Sequence, residues 1–142
     1  MGRLDGKVAL ISGSSKNQGA AEAKLFTAEG AKVVFGDIAD EEGRAFEAEI
    51  KSAGGEADYM RLDVASVADW QAAVAHASER FGELDILINN AAILVPRVPV
   101  EERTEEEWDR VMAVTAKGVI FGTKAAIPAM RNAGDGRSST SL

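Results

Sequence analysis

The residues best suited to chemistry lie between Ser12 and Asp37. Ser12-Gly13-Ser14-Ser15-Lys16-Asn17-Gln18-Gly19 is a turn whose two glycines enclose five residues. Glycine lets a backbone reverse tightly and brings its N–H groups close to an anion. A helix opening on such a turn adds free N–H groups and a partial positive charge, which suits a pyrophosphate. Asp37 follows Gly19 by eighteen residues. A carboxylate there can accept hydrogen bonds from both hydroxyls of an adenosine ribose. It would also repel a 2′-phosphate, which favours NAD over NADP. The binding candidates in this stretch are Gly13, Ser15, Lys16, Asn17, Gln18, Gly19, Asp37 and Ile38. A strict G-x-G-x-x-G is absent, and Asn17 stands where a middle glycine is expected. Asparagine tolerates the left-handed conformation that such a turn needs. A βαβ connection without a ligand is the competing reading of the same residues.

These residues need elements to hold them. Val8 to Ile11 is a compact apolar run, as in a buried strand, and Ala20 to Glu29 is rich in helix formers. Lys32 to Gly36 is a second strand ending on Asp37. The alternation then continues. Asp40 is a plausible cap for a helix from Glu41 to about Ala53, stopped by Gly54-Gly55. Ala57 to Leu62 reads as a third strand, followed by Asp63-Val64. Ser66 caps a helix running to Phe81, with Asp69 as a short capping-box variant and Gly82 as its stop. Leu84 to Ile88 is a fourth strand of nearly continuous apolar character, as a strand covered on both faces should be. Thr104 and Glu107 form a capping box opening a long helix that fades near residues 132–134, with Gly118 and Pro128 as weak points. This β-α-β-α-β-α-β-α order predicts an α/β, doubly wound parallel sheet of four strands and four helices in the order 3-2-1-4. Any ligand belongs at the carboxyl ends of the strands, between strands 1 and 4.

Composition narrows the classes. A chain of 142 residues, 46% hydrophobic and 27% charged, is globular and of one-domain size. A net charge of −7 disfavours nucleic acid and anionic membrane as partners. No apolar run in the sequence approaches the roughly 20 residues of a membrane span, and residues 1–5 lack the apolar core of a signal peptide. With no cysteine and one histidine there is no zinc set and no disulfide framework. The expected compartment is the cytoplasm. His76 reads as a solvated helix residue, and the acidic run from Glu101 to Glu107 as carboxylates complementing a helix N-terminus.

Taken together the motifs resemble the N-terminal part of the short-chain dehydrogenase/reductase family. The resemblance is carried by Leu4-Asp5-Gly6-Lys7-Val8-Ala9, Ser12-Gly13-x5-Gly19, Asp37, Asp63-Val64 and Asn89-Asn90-Ala91-Ala92. The helix segment Trp108-Asp109-x4-Val114-Thr115-x-Lys117-Gly118 also carries it. The match covers residues 4 to about 134. It implies a Rossmann-type fold and hydride transfer between NAD(H) and an alcohol/carbonyl pair, with a flavour of bacterial NAD-linked hydroxysteroid or sugar dehydrogenases. It implies that Asp63 meets the adenine amino group, that Val64 lines its ring, and that Asn89 and Ala91 bound the cofactor from strand 4. It implies a homo-oligomer, with the long helix in a dimer interface.

Several positions depart from the family pattern, which has Thr at Ser12, Gly at Asn17 and Gly at Ala92. Lys16 occupies a spot where family members use a base to hold a 2′-phosphate; a solvated loop charge is the other reading. Thr115 stands at the family's catalytic asparagine and supplies no amide, which puts that proton relay in doubt. The family's catalytic Ser and Tyr-x-x-x-Lys have no counterpart in the chain, so no catalytic residue is assigned. The one tyrosine, Tyr59, falls in strand 3 with no lysine four residues on.

Residues 1–134 are therefore expected to form a partial Rossmann domain and 135–142 an irregular tail. One choice of codons for Arg137 to Leu142 reads Val-Val-Asn-Ile-Ser out of frame, a strand like the family's fifth, which makes a frameshifted end one reading and a genuine short tail the other. Strand 4 would then be an open edge. Three readings follow: an NAD-linked oxidoreductase by family that is inactive as this chain alone, a non-catalytic NAD-binding half-domain, and a non-functional truncated product.

Overall fold

The computed structural model describes residues 2–15, 17–93, 95–134 and 137–140. Its strands are β1 (Val8–Ser12), β2 (Lys32–Asp37), β3 (Glu56–Arg61), β4 (Ile86–Asn89) and β5 (Arg137–Thr140). Its helices are α1 (Asn17–Ala28), α2 (Asp40–Ser52), α3 (Val67–Phe81), α4 (Glu105–Met112) and α5 (Gly118–Ala133). A π-helical turn, Ala113–Lys117, joins α4 to α5, so the two run on as one long helix. The sheet is parallel, in the order β3-β2-β1-β4-β5. The expected 3-2-1-4 arrangement is present, and a fifth strand extends it.

Within the tail expected to be irregular, residues 137–140 form this strand, and 135–136 and 141–142 lie outside the described residues. β5 pairs with β4 from Ile86↔Arg137 to Asn89↔Thr140, so β4 is not an open edge. A parallel ladder is made by backbone groups, so the polar types of Arg-Ser-Ser-Thr do not prevent pairing.

β1, β2 and β4 each feed two cores because successive side chains point to opposite faces. Val8, Leu10, Val34 and Leu87 pack with Trp70, Ala73, Ala77, Ala126 and Met130, under α3 and α5. Ala9, Ile11, Val33, Phe35 and Ile88 pack with Ala23, Phe46, Ile50 and Tyr59, under α1 and α2. The near-continuous apolar runs of β1 and β2 are thus buried on both sides.

Local signals decide most element ends. Ser66 accepts a bond from the Asp69 N–H at 3.2 Å, and Gly82 ends α3 in the left-handed conformation at φ 93°. The Thr104–Glu107 capping box is complete. Asp40 does not cap α2: the N-cap is Ala39, without a side-chain bond, and Asp40 lies inside the first turn. The carboxylate of Asp69 reaches past Ser66 to accept from the Asp63 N–H at 2.9 Å. β4 starts at Ile86 because Leu84 and Asp85, both buried, lead into it, with the Asp85 carboxylate accepting from the Val8 N–H at 2.9 Å.

The stretch Glu105–Asn132 is long and apolar enough to cross a membrane by length and composition. The sequence shows no such run because charges such as Lys117 and Lys124 interrupt it. On its inner side Val114, Phe121, Ala125, Ala126 and Met130 belong to the core, which accounts for part of the apolarity without a bilayer.

Candidate active site at the strand ends

The site begins with the turn after β1. Gly13 has φ +66°, and a Cβ there would stand 2.6 Å from the Ala91 Cα. No residue with a side chain fits this approach. Asn17 takes φ 57° and is the sole non-glycine residue with positive φ among the described residues. The reversal is thus complete by Asn17, and α1 opens three residues before Ala20, where composition placed it. Gly19 falls in the first helical turn, packed on the turn itself; a Cβ would meet the Asn90 Nδ2 at 2.6 Å.

Hydrogen bonds clamp this turn to the end of β4. The buried Ser12 hydroxyl accepts from the N–H groups of Asn90 at 3.1 Å and Ala91 at 3.2 Å. The Asn90 amide donates to the Gly13 carbonyl at 2.9 Å. A hydroxyl at position 12 suffices for this clamp, so serine replaces the family's threonine without loss of the contact.

Asp37 ends β2 beside the turn. One carboxylate oxygen accepts from the Ile38 N–H at 2.7 Å and the Ala39 N–H at 3.4 Å, the other from the Ser15 N–H at 3.2 Å. A carboxylate has about four acceptor sites, so capacity remains for a ligand hydroxyl. Tyr59 supports the same corner from below. Its hydroxyl lies 2.8 Å from the Asp37 carbonyl and 2.7 Å from an Asp40 carboxylate oxygen. Arg61 donates to the Ile38 carbonyl at 3.0 Å and to Asp40 at 3.2 Å. Burial, then the neighbouring Asp40 carboxylate, pushes the Tyr59 phenol well above its ordinary range. The Tyr59 hydrogen bond in turn holds Asp40 below the usual carboxylate value, with Arg61 adding to it.

Next to this corner lies Val64, nearly buried, whose carbonyl accepts from the Trp70 Nε1–H at 2.9 Å. Gly118 packs on Val64; a Cβ there would sit 2.9 Å from its Cγ2. The Asp63 carboxylate accepts from the Ala65 N–H at 2.9 Å and is otherwise exposed.

These parts surround an open cleft of about 730 Å³. Of the sequence candidates, Gly13, Asn17, Gln18, Asp37, Ile38, Asp63, Val64 and Ala91 line it. Ser15 and Gly19 lie behind the lining, as parts of the turn. Asn89 is buried below the cleft, 3% exposed, and neither of its side-chain polar atoms has a partner. Asn90, Ala91 and Ala92, just past the end of β4, line the cleft instead. Lys16 lies outside the described residues. Ile93, Arg110 and Val114 also line the cleft and were not among the sequence candidates. The long helix that carries the last two shows in the sequence, but not which of its faces meets the strand ends.

Thr115 lies within the π turn, its hydroxyl oxygen buried and without a partner. Such turns recur at functional sites. His76 stays part-exposed on α3, and its Nε2 lies 2.9 Å from the Asp58 carboxylate, which Arg80 and Lys51 also approach. Neither His76 nor Asp58 lines the cleft.

The arrangement fits a nicotinamide dinucleotide. The glycine cradle has no room for a Cβ, a helix N-terminus adjoins it, and the Ser15 Oγ is buried without a partner. Gly13, Asn17 and Gln18 would hold the pyrophosphate, Asp37 the ribose, and Asp63 and Val64 the adenine.

Comparison with known proteins agrees with this geometry. The family model for short chain dehydrogenases matches residues 7–138. The chain is 47% identical over 134 residues to 2,5-dichloro-2,5-cyclohexadiene-1,4-diol dehydrogenase LinX of Sphingobium indicum, covering 94% of this chain and 53% of that protein. It is 47% identical over 135 residues to 3-alpha-(or 20-beta)-hydroxysteroid dehydrogenase of Mycobacterium tuberculosis, covering 95% and 50%. A solved structure of a mutant short-chain dehydrogenase/reductase from Serratia marcescens superimposes with a TM-score of 0.86 at 33% identity, covering 96% of this chain and 55% of that one. The chain spans about half the length of the curated relatives it matches. With its fold, its cleft and these relatives in agreement, the chain belongs to the short chain dehydrogenase family.

Proposed function

We propose that this chain is the cofactor-binding part of an NAD-linked short-chain dehydrogenase acting on a cyclic secondary alcohol and its ketone. In that reaction the carbinol carbon gives a hydride to the nicotinamide and the hydroxyl gives up a proton. The single observation that carries the reading is Asp37. Its carboxylate is held by three backbone N–H groups at the rim of the cleft. It offers acceptors to a ribose diol and opposes a 2′-phosphate. The names of both dehydrogenases denote secondary alcohols carried on ring skeletons, which supports the substrate class. A cysteine-free sequence supports the cytoplasm.

A second reading concerns the 142 residues by themselves: binding without turnover. It is favoured by Tyr59, the one tyrosine of the sequence, whose hydroxyl is engaged by Asp37 and Asp40 and which does not line the cleft. General acid–base catalysis needs a donor within reach of the substrate oxygen.

Fluorescence titration tests both. NADH is expected to bind the isolated chain more tightly than NADPH, with no oxidation of cyclohexanol by NAD. Asp37→Ser is expected to weaken NADH about tenfold, on the order of 1.4 kcal/mol, and to narrow the gap to NADPH. Equal affinity for both cofactors in the unaltered chain would defeat the NAD assignment, and measurable turnover would defeat the second reading.

A further inference from the structure

We propose that Arg110 is a cofactor-binding residue that covers the adenine ring of the dinucleotide, an inference that rests on the dinucleotide reading above. Arg110 lines the cleft together with Asp63, Val64 and Val114. Its position follows from the helix. Gly118 packs on Val64, Val114 precedes Gly118 by four residues, and Arg110 precedes Val114 by four. Residues four apart share a helix face. The π turn between Arg110 and Gly118 alters this spacing, yet Arg110 and Val114 both reach the cleft wall that Gly118 seats on Val64.

The state of the side chain points the same way. Glu106 stands four residues before Arg110, in the order that favours a surface ion pair. No such pair forms: among the described residues the Arg110 side chain has no salt bridge or hydrogen bond. Glu107 is engaged instead by Arg103, at 3.6 Å. Arg110 is also the one basic side chain among the described residues that line the cleft, whose other charges are Asp37 and Asp63. A guanidinium is planar, weakly hydrated and suited to stacking on a flat π system. Asp63 supplies an acceptor for an exocyclic amino group beside it, and Val64 an apolar wall. An aminopurine satisfies all three.

The test compares the unaltered chain with Arg110→Met and Arg110→Lys. NADH binding is read by fluorescence, ADP-ribose binding by calorimetry, and unliganded stability by thermal unfolding. Methionine keeps the apolar stem, and Arg110 is exposed, so the melting temperature should not move. Arg110→Met is expected to weaken NADH and ADP-ribose alike, roughly three- to tenfold. Arg110→Lys, which keeps the charge and loses the plane, should recover less than half of the loss. Unchanged affinity in Arg110→Met overturns the proposal and leaves the dinucleotide reading standing. Full recovery by lysine overturns the adenine assignment in favour of a charge contact. Failure of the unaltered chain to bind either ligand overturns both readings together.

Discussion

Tyr59 shows how one side chain ties the core to the site. Its ring packs against Phe35, centroids 5.5 Å apart, and its hydroxyl braces the corner that presents Asp37. The folded phenol keeps its proton above the ordinary value of 10.0, mainly because it is buried and next because Asp40 is beside it. A raised acid binds its proton more tightly folded than unfolded. Its contribution is therefore complete below pH 10 and is lost as pH climbs beyond it. Asp40 has the opposite sign: its carboxyl is held below the ordinary 3.8, so its contribution is present above that value and fades as pH falls through the lower folded one. Tyr59→Phe is expected to cost about 0.5–1.5 kcal/mol at pH 7 and to flatten the fall in stability above pH 10. Urea unfolding between pH 7 and 11 measures both, and an unchanged alkaline limb would refute this role.

At the scale of elements, α3 sets one wall of the cleft through Trp70. Trp70 is fully buried, holds the Val64 carbonyl at 2.9 Å, and lies against Gly122, where a Cβ would stand 2.7 Å from the ring. The α3–α5 contact and the Val64 wall of the cleft thus share one side chain. Trp70→Ala is expected to cost about 3–5 kcal/mol and to weaken NADH by more than it weakens free pyrophosphate, whose cradle on β1 and α1 it does not touch. Denaturant unfolding with parallel titrations checks both halves. Equal losses for the two ligands would place the effect in global stability alone. The π turn acts at the same scale. It lies between Arg110 and Gly118, in the part of the long helix where Val114 meets the cleft.

For the whole molecule the exposed surface that matters is a helix. Trp108 is 64% exposed and Ile120 63%, with Met112 and Ile127 also outward on the same long helix. Open apolar surface of this kind marks an association site. The isolated chain is expected to self-associate through it, and Trp108→Glu with Ile120→Lys to raise the monomer fraction at equal concentration. Light scattering behind size exclusion reads this; a chain that is monomeric without the changes would refute it. Edge pairing at β4, which the sequence suggested, is not the route, because β5 occupies that edge.

Signals local in the chain settled much of this protein from sequence alone. The strand and helix order, the caps at Ser66 and Thr104, the stop at Gly82 and the left-handed demand at Asn17 depend on neighbours a few residues away, as does the run that ends on Asp37. The crossover rule then converts their order into a sheet. Contacts between distant segments were decided only by the fold. Asp40 binds Tyr59 nineteen residues on instead of capping its helix, and His76 of α3 pairs with Asp58 of β3 eighteen residues before it. Asn89 turns inward while Asn90 clamps a turn seventy-seven residues away. Arg110 reaches the cleft because Gly118 has no side chain to keep α5 from Val64. Such partners meet when two faces pack, and a face is chosen by the energy of the whole core rather than by any window of sequence.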